Sequence, residues 1–437
     1  MRVVIAAQAE RTQASQPELA GAVSAAGLPF APVGRDHHFG RISRRFASGG
    51  LPLLDFGEED ESRLTWRHLR DGHRQLVPFW WRMVNEPMVG DLVDLCRTWK
   101  PDLVVWEPTT FAGAVAARAA GAAHVRFLWS VDLFARMRGL FLERMEEQAP
   151  EVREDPLGEW LSGLAARYGV GFDEELVVGQ ATIDQVPDVL RIPVDGRLGV
   201  RYLGMRFVPY NGRAVVPDWL RERPEGRRLC LTLGTSATDR FGGYTLPLGE
   251  VLEALGQVDA EVVATVPLQA RQDLGTVPSN VRLVDYVPLH ALAATSTATI
   301  NHGGPGTVFT MAAHAVPQVI VGRARLFDEP VLARRMAEAG AAVAPEPERV
   351  DTRTLYEGAV RALEGESLTR GALALRERMA SQHDPRPAPR LNPRACFLDH
   401  SALALPGFLS RRRHHSDSQT RAGPRCAILR SLRSRAQ

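Results

Sequence analysis

Apolar residues recur along this chain in two rhythms, and their alternation gives the first structural reading. Short runs rich in Val, Leu and Ile stand at 2–7, 102–106, 125–129, 228–233, 261–266, 281–286, 298–301, 318–322 and 341–344. Longer segments lie between them, at 246–256, 306–315 and 329–339 among others, and their apolar positions return every three to four residues. Alternating strands and helices predict parallel sheets of the doubly wound α/β kind. A dense group of turn residues (Gly204, Pro209, Gly212, Pro217, Pro224, Gly226) interrupts the pattern midway and marks a linker. The expected organisation is a domain over 1–205, a linker over 206–226, a second domain over 227–383 and an aperiodic stretch over 384–437.

The N-terminal half reads as follows. Arg2–Ala7 is expected as a buried parallel strand. Ser15-Gln-Pro-Glu18 has the form of a capping box, with Ser15 as N-cap of a helix that Gly27 ends, before Phe30–Val33. Only residues 8–13 separate that first strand from the helix, too few for a parallel crossover of a dozen or more residues. A structural unit is therefore expected to be missing. Residues 35–75, with Glu58-Glu-Asp-Glu61, read as a charged, solvated loop. An amphipathic helix follows over 80–99, then a strand to Trp106, a small-residue helix over 111–120 and a strand over 125–129. Ligands of open α/β sheets gather at the carboxyl ends of strands. Glu107, Ser130 and Asp132 accordingly face the expected cleft, although Asp132 also begins a helical pattern and reads equally as its cap.

The richest chemistry lies at Thr297-Ala-Thr-Ile-Asn-His302-Gly-Gly-Pro-Gly-Thr307, a strand running through a glycine-rich turn into a helix. Unbonded N–H groups and the positive end of the helix dipole favour a phosphate there. His302 stands at the loop entrance, and Gly303, Gly304, Gly306 and Thr307 supply backbone amides and a hydroxyl. An ordinary strand-to-helix turn, with glycines serving only the backbone, is the alternative. Thr235 and Ser236, after the 228–233 strand, offer further hydroxyls or plain turn chemistry.

Composition narrows the picture. The net charge is +2, but residues 384–437 hold eleven Arg against three Asp, which leaves the rest at −6. A mildly acidic body excludes nucleic acid as its principal partner. The tail, with Pro385, Pro387, Pro389 and Pro393 among its arginines, is expected to be disordered. Cys96, Cys230, Cys396 and Cys426 have no ligand spacing, so neither a metal site nor a disulfide framework is implied. Cys230 reads as core. With no apolar run near the ~18 residues of a membrane span and no signal-peptide pattern, a soluble, cytoplasmic protein that does not bind membrane is expected.

Taken in order, Arg228–Leu233 with Gly234-Thr235-Ser236, Tyr286-Val287-Pro288-Leu289-His290, His302-Gly-Gly-Pro-Gly-Thr307 and Asp328-Glu329-Pro330 resemble the nucleotide-sugar domain of family 1 glycosyltransferases of the GT-B fold. The narrower likeness is to the actinobacterial enzymes that place deoxysugars on macrolide and anthracycline aglycones, and it covers most of residues 14–382. The resemblance implies two Rossmann-like domains facing across a cleft, with an acceptor site in the first and a donor site in the second. It implies an inverting, metal-independent transfer of a deoxyhexose from a dTDP-sugar, with no cofactor, to a polyketide hydroxyl, anthracycline before macrolide. It assigns the donor diphosphate to His302 and the 303–307 loop, the nucleobase to Val287, and the donor sugar to Asp328 and Glu329, where Asp328 also suits a helix cap. It further implies an apolar acceptor, an auxiliary protein similar to a cytochrome P450, and a homodimer. The family's general base is a histidine in the first N-domain loop. Here that loop reads Gln8-Ala-Glu10-Arg-Thr-Gln13, which leaves Glu10, His37 and His38 as substitutes. A GT-B protein that binds nucleotide or a partner without efficient turnover is the alternative, and a nucleotide-sugar epimerase on the same fold a third.

Overall fold

A computed structural model describes residues 3–7, 10–36, 54–222, 224–233, 246–272, 274–321 and 328–383, with backbone alone for 3–7, 10 and 11. The tail over 384–437 and the histidines at 37 and 38 lie outside the described residues.

The first half is one seven-stranded sheet ordered β3-β2-β1-β4-β5-β6-β7. Its strands are β1 (Val3–Ala7), β2 (Glu10–Ser15), β3 (Phe30–Pro32), β4 (Leu103–Trp106), β5 (Ala123–Phe127), β6 (Thr182–Asp184) and β7 (Tyr202–Gly204). Every pairing is parallel except those of β1, which runs antiparallel to both β2 and β4. The expectation of a parallel first strand is thus corrected, and the reason is length. Two residues join Ala7 to Glu10, and so short a connection closes only an antiparallel pair. β1 occupies the central slot beside β4, but reversed.

Two further expectations fail here. Ser15 is no N-cap: it ends β2, and its carbonyl accepts the amide of Val33 at 2.9 Å. A 3-10 turn (Pro17–Leu19) follows, capped by no side chain, before α1 (Ala20–Ala25), which Gly27 ends at φ +77°. Sheet pairing outcompeted the local cap. The 35–75 stretch is not all solvated loop either. Leu54, Phe56 and Leu64 are buried, and α2 (Trp66–Leu76) begins with Thr65 accepting the amide of His68.

A π turn (Val77–Arg82) carries α2 into α3 (Met83–Trp99). The small residues of α4 (Ala112–Ala120) let it lie close against the sheet; a Cβ at Gly113 would press into the Trp106 side chain at its Cβ. Buried Asn85 ties these pieces together, donating to the carbonyls of Trp81 and Thr109 and accepting the amide of Ala112 at 2.8 Å. α5 (Leu133–Glu146), α6 (Pro156–Ala166) and the short α7 (Glu175–Val178) complete this half. Within its core His73 lies against Trp81 and Phe141, and burial pushes its pKa down to about 4.

The second half holds a six-stranded, all-parallel sheet ordered β10-β9-β8-β11-β12-β13. Its strands are β8 (Arg228–Thr232), β9 (Glu261–Thr265), β10 (Val281–Val284), β11 (Ala298–Asn301), β12 (Gln318–Ile320) and β13 (Ala342–Val343). β8 is buried along its whole length, Cys230 included, as a central strand covered on both faces must be. Its helices are α8 (Leu248–Leu255), α9 (Leu289–Ala293), α10 (Pro305–Ala313), α11 (Glu329–Glu338), α12 (Thr352–Glu364) and α13 (Glu366–Ser381). No helix among the described residues is long and apolar enough to cross a membrane.

The two halves touch along α10, α11 and α13. Phe309 of α10 meets Phe207 with ring centroids 5.6 Å apart. Arg334 and Arg335 of α11 reach Glu59 of the first half. Arg378 pairs with Asp188 at 3.2 Å, Gln382 donates to the Val186 carbonyl, and the Arg206 amide donates to the His383 carbonyl at 2.7 Å. The last described helix has therefore already returned to the first half before residue 384.

Candidate functional site

The order of the second sheet defines where a ligand belongs. From β8 the chain moves outward to β9 and β10, whereas from β11 it moves the other way to β12 and β13. The crevice at the carboxyl ends of β8 and β11 is the topological switch point at which such sheets bind nucleotides. The His302 loop leaves β11 there. Thr235 and Ser236, which follow β8, lie outside the described residues.

A buried amide pair shapes the loop. Asn301, last in β11, accepts the Gly303 amide at 2.9 Å and donates to Gln318 of β12 at 2.9 Å. Gln318 in turn donates to the Val308 carbonyl inside α10 at 2.9 Å. Sequence reasoning missed both residues, although a polar side chain closing one apolar strand and another opening the next were a visible signal. Gly303 has φ +90°, and a Cβ there would crowd Ile320 and Glu329, so the loop after β11 lies against the end of β12 and the start of α11. At 304 a Cβ would collide with the His302 ring, because the imidazole lies directly over that glycine. Helix α10 then starts with Gly304 as an N-cap that offers no side chain and Pro305 without an N–H. Thr307 donates its amide to Gly304 at 2.9 Å, and Gly306 is exposed at the first turn. The start of α10, the Gly304 and Gly306 amides and the His302 imidazole thus come together in one loop, and that combination of groups suits an anion.

The other donor-side candidates lie on neighbouring strand ends. Val287 is buried between β10 and α9. Asp328 takes the N-cap position of α11 without capping it, so the cap expectation fails for its side chain. It is 4 % exposed, and its Oδ2 has no hydrogen-bond partner among the described residues. Burial pushes its pKa up to about 6, while the hydroxyl of Ser130, from the first half, favours the charged form.

A carboxylic acid with a raised folded pKa stabilises the fold while neutral. That contribution is complete below the unfolded value near 4 and is lost as pH rises through about 6. Asp328→Asn is therefore expected to stabilise the chain at pH 7.5 by roughly 2 kcal/mol, an advantage that vanishes near pH 4. Thermal melts of both proteins at the two pH values read this directly; an equal gain at both would refute the buried charge as its cause.

On the first half, Glu107 follows β4 and spends its carboxylate on its own turn, accepting from the Thr109 amide at 3.1 Å and from the hydroxyls of Thr109 and Thr110. Ser130 is buried, and Asp132 caps α5 by accepting the Ala135 amide at 3.1 Å. Both Asp132 oxygens also meet the guanidinium of Arg126, and the Tyr202 hydroxyl donates to it at 2.8 Å. Arg126, buried on β5, is further bonded to the Thr182 hydroxyl. Asp132 is thus the anchor of an internal ion pair, and the 128–132 turn is held by it. A lone arginine in the otherwise apolar 125–129 run was the overlooked signal.

Glu10 is corrected as a base candidate. In register Val3 lies opposite both Ala14 and Trp106, while Glu10 lies opposite Ala7 at the far edge. The hairpin therefore puts Glu10 some five residues, about 17 Å at strand rise, from the edge that carries Glu107. His37 is outside the described residues.

Comparisons with known proteins bear on the family and the fold. A family model described as erythromycin biosynthesis protein CIII-like, N-terminal domain, matches residues 5–234, and its C-terminal counterpart matches 249–390. The 10-deoxymethynolide desosaminyltransferase of Streptomyces venezuelae is 43% identical over 389 residues, spanning 88% of this chain and 89% of the relative. The aclacinomycin-T 2-deoxy-L-fucose transferase of Streptomyces galilaeus is 42% identical over 321 residues, 70% of this chain and 72% of that one. Among solved structures, glycosyltransferase VinC in complex with dTDP superposes with a TM-score of 0.75 at 35% identity, covering 85% of this chain and 88% of VinC. The expected GT-B fold is thereby found.

Proposed function

The chain belongs to the erythromycin biosynthesis protein CIII-like family of glycosyltransferases, and we propose that it moves a deoxyhexose from a dTDP-sugar to a hydroxyl of a polyketide aglycone. The 302–307 loop at the switch point carries this reading. In the proposed reaction the acceptor oxygen attacks the anomeric carbon from the face opposite the leaving group. The bond from that carbon to the phosphate oxygen breaks, dTDP departs with the electron pair, the proton of the acceptor hydroxyl passes to solvent, and the configuration inverts. His302 and the amides of Gly304 and Gly306 meet the charge that grows on the leaving diphosphate, so their effect is largest in the transition state. This supplies electrophilic assistance without a metal. Val287 is the nucleobase contact and Asp328 with Glu329 the sugar contact in this reading. Glu107 and Ser130 edge the acceptor side, and Asp132 braces it from behind. Relatives acting on a macrolide and on an anthracycline stand at 43% and 42% identity, so the acceptor proposed is a polyketide hydroxyl of either kind.

The reversed β1 favours a second reading, a nucleotide-binding protein with little turnover. The family's base sits in a loop leaving the carboxyl end of a parallel first strand, and here that strand end points away. The test is a transfer assay with dTDP-deoxysugars and polyketide aglycones, with and without a P450-like auxiliary protein, read by mass spectrometry and product stereochemistry. A slowly formed monoglycoside of inverted configuration is expected. Retained configuration would overturn the mechanism, and no product from protein that binds dTDP would favour the second reading.

A further inference from the structure

The segment joining the two halves is tied to the donor side at several points along its length. Phe207 lies on Phe309, in the helix whose first turn forms the anion site. Four residues on, the Asn211 carbonyl accepts the Tyr286 hydroxyl. The Asn211 side-chain oxygen meets the His290 amide at 3.0 Å and the His290 ring nitrogen Nδ1 at 2.8 Å. Gly212, at φ +73°, then turns the chain back. Leu220, with Val216 and Trp219, packs beneath the same loop against Val287, Leu289 and Leu292. Trp219 is itself fixed between the guanidinium groups of Arg228 and Arg282, 5.4 and 4.9 Å from its ring centre. One stretch of chain thus holds the 285–290 loop by hydrogen bonds at Asn211 and by apolar packing at Leu220, and also touches α10.

We propose that Asn211 is a positioning residue for the donor: it straps the 286–290 loop in its nucleotide-binding shape and ties that shape to the segment connecting the two halves. This rests on the reading of 302–307 and Val287 as the donor site. Its carbonyl and side chain accept from three groups of one loop, so the loop cannot swing outward without breaking all three. Tyr286 is 59 % exposed and Tyr210 64 % exposed, and little apolar packing on that outer side does the same work.

The experiment compares Asn211→Ala, Asn211→Asp and Tyr286→Phe with the unaltered full-length chain by dTDP calorimetry and by donor and acceptor KM. Asn211→Ala is expected to weaken dTDP binding and raise the donor KM about tenfold, with acceptor KM and kcat at saturating donor within about twofold. Asn211→Asp keeps the accepting oxygen and is expected to restore most of the loss. Tyr286→Phe loses one of the three bonds and should fall between. Melting curves establish that each variant is folded. Unchanged dTDP affinity in folded Asn211→Ala, or a loss in Asn211→Asp as large as in Asn211→Ala, would overturn the strap while leaving the donor site standing. Failure of the unaltered chain to bind dTDP would overturn both.

Discussion

Replacing the two-residue β1–β2 connection with a full crossover, a histidine-bearing loop followed by a helix, is expected to raise turnover about 10²–10⁴-fold, the usual worth of a general base. The chain now closes an antiparallel hairpin at that connection because nothing longer is available. A dozen or more added residues would let β1 run parallel to β4 through a right-handed crossover. The loop after β1 would then open at the sheet edge that carries Glu107 and Ser130. A base delivered there can take the proton of an acceptor hydroxyl, whereas Glu10 sits at the opposite edge. Substitutions at His37 or His38 should change turnover far less than the crossover does. Single-turnover rates of the two forms at saturating donor make the comparison; equal rates would show that the reversed strand does not limit catalysis.

The second large effect is expected at His302. Its ring lies against Gly304, where a Cβ would meet the imidazole, and so stands at the start of the 302–307 loop. His302→Ala should weaken dTDP binding by roughly 1.5–3 kcal/mol, the range for a hydrogen bond to a charged group, or about 10- to 150-fold. The loop itself should survive, because Asn301 and Gln318 shape it from beneath and neither contact involves the imidazole.

Much of the donor half was legible in the chain. Every strand read between 228 and 344 is present within a residue or two, because buried parallel strands are nearly continuous apolar runs and the intervening helices keep a clean period. The exceptions share a cause: local pattern is silent on partners. An apolar run such as Val3–Ala7 looks alike parallel or antiparallel, and only the length of the connection after it chose. Ser15 and Glu18 have the spacing of a capping box, yet Ser15 was taken by its neighbour Val33 in the sheet. Leu54, Phe56 and Leu64 are single anchors in a charged stretch, too sparse for any period to register. The prolines and glycines of 204–226 suggested a tether, while Trp219 and Leu220 among them bind that segment to the donor half. Asp132 had two readings, and the arginine six residues earlier decided for the cap and its ion pair.

The central claim is that the donor site is whole although the first strand is reversed. Calorimetric titration of dTDP into the purified full-length chain tests it most directly. Saturable binding of one dTDP per chain, weakened at least tenfold by His302→Ala and unaffected by substitution of Glu10, is the predicted result. Well-folded protein that takes up no dTDP, or that binds it equally well without His302, would contradict the account.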